Sequence, residues 1–199
     1  MRLLREDPAI SHLGEQDRVE LLGAIERGGL RVQRIVEAVQ RFARPDGRRE
    51  GAERVELAAQ WRTLEPLFAH RIGGPVQLQA ALGDACVQAR PELLDQALAN
   101  LVLNALDAIG EAGTVRVEAQ RHGEQVVLSV QDDGHGVPAA VRERIFTPLF
   151  TTKDPGKGTG MGLAIAAEIA ALHGGRLRDV EPPEGGARFE LWLPAVDLR

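Results

Sequence analysis

The chain has 199 residues, 44% hydrophobic and 27% charged, enough for one mid-sized domain with a substantial core plus an appendage. A net charge of −5 without a long basic run argues against generic nucleic-acid binding and against contact of this segment with an anionic membrane. Cys86 is the single cysteine, which excludes an intrachain disulfide and a cysteine zinc cluster and leaves a small buried hydrophobe as its expected role.

In chain order, the first pattern runs from about Asp17 to Arg44, where Leu21, Ile25, Val32, Ile35, Val36, Val39 and Phe42 recur at helical spacing. Gly28-Gly29 interrupts it at a cost of about 1 kcal/mol per glycine. Its single apolar stripe calls for a packing partner in its own domain, on another helix or in a second chain. Residues 45–51 read as a linker. Beyond it, 55–57 predict a short strand, 58–70 a helix carrying Trp61, Leu64, Leu67 and Phe68, and 76–80 a half-buried strand. Residues 91–109 predict a strong helix, with Pro91 in its first turn and Leu94, Leu98, Leu101, Val102 and Ala105 along one side. A hairpin of 115–119 and 126–130 follows, then a helix over 161–173 stopped by Gly174-Gly175, then strands at 176–180 and 187–193 around Pro182–Gly186. This order predicts an α+β fold, a two-layer sandwich of helices on a mixed β-sheet, preceded by a long α-helix. No apolar run approaches the ~18 residues of a spanning helix, and residues 1–7 lack a signal-peptide core. A cytoplasmic protein is expected, or the cytoplasmic part of a longer membrane-bound one.

Four segments carry chemistry. Asn100, Asn104 and Asp107 fall at i, i+4 and i+7 and share one face of the 91–109 helix. They form either a solvated polar face or an amide pair for a hard cation such as Mg²⁺. Asp132-Asp133-Gly134-His135-Gly136 follows an apolar strand. It reads as an ordinary turn or as a carboxylate for a ligand's amino group, with Gly134 and Gly136 clearing space for a flat ring. Residues 145–153 set two phenylalanines around Pro148 and end in Thr151-Thr152-Lys153, hydroxyls and an ammonium suited to polyphosphate. In 154–163, Gly156, Gly158, Gly160 and Gly162 alternate ahead of an alanine-rich helix. Such a loop lets backbone N–H groups and a helix N-terminus close over phosphates.

Together these segments resemble the ATP-binding domain of sensor histidine kinases, within the superfamily of gyrase-type and mismatch-repair ATPases. The resemblance covers Val55 to Pro194 at least. Residues 100–108 look like its N box, 132–136 its G1 box, 145–153 its F box and 156–163 its G2 box. It implies ATP and Mg²⁺ as cofactors, with Asn104 as metal ligand and Asn100 assisting, both catalytic. Asp132 is implied to bind the adenine amino group beside Gly134 and Gly136. Lys153, Lys157, Thr159 and the backbone of Gly158, Gly160, Met161 and Gly162 are implied to form a mobile lid on the phosphates, with Asp107, Thr152 and Leu163 also at the nucleotide. Gyrase-like relatives carry a water-activating glutamate where Asn100 stands, and a neutral amide is no general base. That favours transfer of the γ-phosphoryl to a protein nucleophile, with positioning and Mg²⁺ supplying most of the catalysis.

The 17–44 helix looks like the second helix of the kinase dimerisation and phosphoacceptor hairpin. Residues 1–46 are therefore expected to be part of that helical region, open to a homodimer, and 47–199 the catalytic domain. His12 does not match the acceptor pattern, so the acceptor is expected on a phosphoacceptor histidine domain and the relay on a response regulator protein. The alternatives are a phosphotransfer scaffold with a kinase-like fold, and a relative of anti-sigma-factor serine kinases or ATPases.

Overall fold

A computed structural model describes residues 51–154 and 158–197, which lie in the compact unit Pro45–Arg199. The whole of the 1–46 region, with the expected 17–44 helix, and Lys157 with Pro155 and Gly156 lie outside the described residues.

Strand β1 (Glu53–Glu56) leads into helix α1 (Leu57–Leu64), which passes into a 3-10 helix at Glu65–Arg71. The apolar spacing predicted a single α-helix to His70. Pro66 has no N–H to donate, so the α-helix ends after Leu64 and the tighter helix takes over. The apolar face survives the change: Trp61 and Phe68 are buried with ring centroids 6.0 Å apart.

The remaining elements are β2 (Val76–Ala81), β3 (Cys86–Ala89), α2 (Pro91–Ile109), β4 (Gly113–His122), β5 (Gln125–Asp132), a 3-10 helix at Ala139–Arg144, α3 (Gly162–Leu172), β6 (Arg176–Val180) and β7 (Ala187–Pro194). Five strands form one sheet in the order β2-β4-β5-β7-β6, and β1 pairs with β3 in a small second sheet. β2 runs parallel to β4 and the other neighbours are antiparallel, so the sheet is mixed as expected.

The register of the central pair is set by burial. Val126 faces Leu193, Leu128 faces Leu191 and Val130 faces Phe189, all buried. A one-residue slip would turn Arg188, Glu190 and Trp192 toward the core. Helices α2 and α3 pack against each other, α2 also against β4 and β5, and α3 against β6 and β7. Leu94, Leu98, Leu101, Val102 and Leu106 of α2 are buried, and Ile165 and Ile169 of α3 join them. Each such side chain contributes about 1.5–3 kcal/mol by leaving water. The packing fixes the rotation of α2 and thereby aims its polar side chains.

Candidate active site

Helix α2 begins at Pro91, where the ring suits the first turn, and Leu93 and Leu94 donate their N–H groups to the Arg90 carbonyl. Burial of Leu101, Val102, Ala105 and Leu106 leaves Asn100, Asn104 and Asp107 on the less buried side. Lys153, from the loop after Phe150, reaches this side of the helix. Its Nζ donates to Asn104 Oδ1 at 3.1 Å and to Asp107 Oδ2 at 2.7 Å. The other carboxylate oxygen, Asp107 Oδ1, accepts from Arg71 Nη1 at 2.9 Å. Burial alone would raise the Asp107 carboxyl, but hydrogen bonds and charge from Lys153 and Arg71 outweigh it and hold the group below its ordinary value. Arg71 carries no motif in the sequence; it enters only because the 3-10 helix ends beside α2.

Asn100 Nδ2 is buried and has no hydrogen-bond partner among the described residues. A side chain added at Gly162 would come 3.6 Å from Asn100 Oδ1, so this amide lies beside the first residue of α3. A buried amide without a partner costs about 1–3 kcal/mol, and a ligand oxygen would satisfy it. Among the described residues no group of three or more His, Cys, Asp or Glu side chains converges on a metal position. The donors here are amide oxygens, which with ligand oxygens and water suit hard Mg²⁺ rather than a soft metal.

Asp132 ends β5 and is only 3% exposed. Its Oδ1 accepts from Gly134 N–H at 3.0 Å and Ala187 N–H at 3.3 Å. Both of its hydrogen bonds among the described residues fall on that one oxygen. Burial raises the Asp132 carboxyl above its ordinary value, and the two backbone bonds and His135 offset this only in part. A Cβ at Gly134 would stand 2.5 Å from the Ala108 carbonyl oxygen, and one at Gly136 2.7 Å from that of Gly186. Both glycines are therefore required by the protein's own backbone, whose approach holds the Asp132 corner together.

Gly158, Thr159 and Gly160 lead into α3, whose N-cap is Met161 with no side-chain cap. Its first N–H donors are not taken by a capping side chain, which suits an anion. The Met161 side chain is buried and its backbone N–H donates to Thr159 Oγ1 at 3.3 Å. Leu163 is half-buried, and Thr152 is exposed beside Thr151, whose hydroxyl accepts from Lys153 N–H at 3.2 Å. The structure thus brings Asn104, Asp107 and Lys153 into direct contact, sets Asn100 beside Gly162, and keeps Asp132 with Gly134 in a separate corner joined to β7.

Residues 89–197 match the family described as histidine kinase-, DNA gyrase B- and HSP90-like ATPase. The chain belongs to this family. Sensor histidine kinase ZraS of Escherichia coli (strain K12) is 36% identical over 174 residues, 82% of this chain and 35% of that protein. The alginate biosynthesis sensor protein KinB of Pseudomonas aeruginosa is 31% identical over 204 residues, 96% of this chain and 33% of that protein. The chain spans about a third of the length of these curated relatives. Among solved structures, the catalytic domain of histidine kinase ThkA superposes with a TM-score of 0.66 at 31% identity, covering 72% of this chain and 95% of that one. Full-length ShkA in complex with AMPPNP gives a TM-score of 0.75 at 28% identity, covering 99% of this chain and 42% of that one. Within the ATPase family, the described domain is an ATP-binding catalytic domain of the sensor histidine kinase type.

Proposed function

We propose that this chain is the catalytic part of a two-component sensor histidine kinase. It passes the γ-phosphoryl of ATP to a histidine on a dimerisation domain, for relay to a response regulator protein. The observation that carries the reading is the convergence of Asn104 Oδ1 with the Lys153 ammonium on one side of α2. A neutral metal ligand and a cation side by side suit a nucleotide's phosphates. Asn100 supports transfer over hydrolysis, because a neutral amide cannot deprotonate water.

Asp132 holds the adenine amino group through its free carboxylate oxygen, with Gly134 and Gly136 fixing the loop around it. Asn104, assisted by Asn100, would hold Mg²⁺, which when bound neutralises charge on the transferring phosphoryl group. Lys153, Lys157, Thr152, the 158–161 backbone and the N–H groups of Gly162 and Leu163 orient the phosphates in line with the acceptor, the main task of a phosphoryl-transfer catalyst. The 1–46 region would supply part of the dimerisation surface of a homodimer, and the work is placed in the cytoplasm.

The test is transfer of labelled phosphoryl from ATP, with and without Mg²⁺, to a supplied phosphoacceptor histidine domain. Mg²⁺-dependent labelling of the acceptor is expected, lost in Asn104→Ala. Nucleotide binding with rapid release of inorganic phosphate and no labelled acceptor would instead place the chain among the hydrolases.

A further inference from the structure

Asn104 Oδ1, the oxygen offered above to Mg²⁺, already has a cation against it. Lys153 Nζ lies 3.1 Å away and is anchored a second time by Asp107 Oδ2 at 2.7 Å. An ammonium and a divalent cation on one amide oxygen would stand a few ångströms apart and repel each other. One has to leave for the other to be ligated.

We propose that Lys153 is a placeholder for the metal. In the nucleotide-free protein its ammonium occupies Asn104 Oδ1, and ligation of a divalent cation there displaces it, freeing the same ammonium for the nucleotide's phosphates. The inference rests on the kinase reading for the identity of nucleotide and metal; the competition for Asn104 does not. Two features make the exchange easy. Arg71 takes Asp107 Oδ1, so Lys153 shares its carboxylate with a second cation. The Lys153 and Asp107 side chains are 33% and 35% exposed, and ion pairs that wet are weak. The consequence is that Lys153, at the start of the phosphate loop, changes partner in step with the metal ligand.

Asn100 and Asn104 are the only asparagines in the chain. Selective ¹⁵N-asparagine labelling of the full chain therefore yields just two side-chain NH₂ groups. Mn²⁺ alone is titrated into nucleotide-free protein, and paramagnetic broadening of the Asn104 group is followed against that of Asn100. Wild type, K153M and R71M are compared. Each variant removes one positive charge from Asp107, but only K153M vacates Asn104 Oδ1.

We expect K153M to lower the Mn²⁺ concentration for half-broadening by about fivefold, the scale of one partly exposed ion pair, and R71M by about twofold or less. Equal effects of the two variants would show that net charge governs the site and would overturn the proposal. So would an unchanged midpoint in K153M, or no selective broadening of Asn104 in any of the three proteins. A parallel titration with Mg²⁺ and a non-hydrolysable ATP analogue keeps the two readings apart. Failure to bind nucleotide, with the K153M effect intact, would sink the kinase reading and leave the exchange standing.

Discussion

The backbone N–H of Arg90 donates to His173 Nε2 at 3.0 Å, while His173 Nδ1 lies 2.7 Å from the Ile169 carbonyl oxygen. Because Nε2 accepts, the ring proton sits on Nδ1 and is donated to Ile169. One imidazole thereby joins the residue ahead of α2 to the last turn of α3. These are the helix that carries Asn100 and Asn104 and the helix that Gly162 opens without a side-chain cap. A histidine with both nitrogens engaged this way is a structural strut and a poor phosphoacceptor.

His173→Ala is expected to destabilise the domain by about 1–2 kcal/mol, since it strands the part-buried Arg90 N–H and removes the link between helices. Thermal unfolding reads this as a drop of several degrees. An unchanged midpoint would mean that water replaces the imidazole at no cost.

Asp132→Asn is expected to weaken adenine-nucleotide binding by about 1–3 kcal/mol through loss of a charged acceptor, while the fold gains stability near neutral pH. The sign follows from the raised carboxyl. Wild type meets no penalty at low pH, where Asp132 is protonated folded and unfolded. Stability is then lost as pH rises from the ordinary carboxylate value, about 3.9, through the raised folded value, and the loss stays constant above it. The variant has no such step, so the difference between the two proteins should grow across that window and then level off. Melting curves from acid to neutral pH check it; a constant offset would count against a buried, costly carboxylate.

Asn104→Ala should abolish the Mg²⁺ enhancement of nucleotide affinity while moving stability by less than about 1 kcal/mol, because the residue is half-exposed and lies off the apolar face. Calorimetry with and without Mg²⁺ decides. A retained metal effect would remove Asn104 as ligand.

Leu101→Ala should cost about 2–5 kcal/mol, since its side chain is 0% exposed in the α2 interface. Leu103→Ala, two residues on and 39% exposed, should cost no more than about 0.5 kcal/mol. Urea unfolding of both variants tests the rotation of α2. Similar losses would mean that Leu101 and Leu103 are equally buried and that the helix is turned differently about its axis.

The long elements were legible because their signals are local. Helix α2 runs over the predicted 91–109, and β6 over the predicted 176–180. The periodic face of α2 also carried the placement of Asn100, Asn104 and Asp107. What stayed hidden depends on partners far along the chain. β3 has four residues, too few for alternation to register, and exists because β1 pairs with it and Val87 bridges to Ala195. The helix predicted through His70 failed at Pro66, a single missing donor outweighing a well-spaced apolar stripe. Arg71 and the Ala187 N–H complete the two corners of the candidate site from 36 and 55 residues away, and neither has a motif. The approach of the Ala108 and Gly186 carbonyls to Gly134 and Gly136 was likewise hidden, because those partners lie 26 and 50 residues away.

The contact from Asp132 to Ala187 also ties the buried carboxylate to the strand that completes the sheet. Among the described residues β6 pairs only with β7, and β5 has β7 as its second neighbour. Without residues 187–194, β5 would keep one open edge along Val126–Val130, apolar but for Ser129, and β6 would lose its described partner. Open apolar edges recruit other chains. The eight residues of β7 close that edge and also bring the Ala187 donor to Asp132, so one strand both shields the sheet and completes the hydrogen bonding of the buried carboxylate.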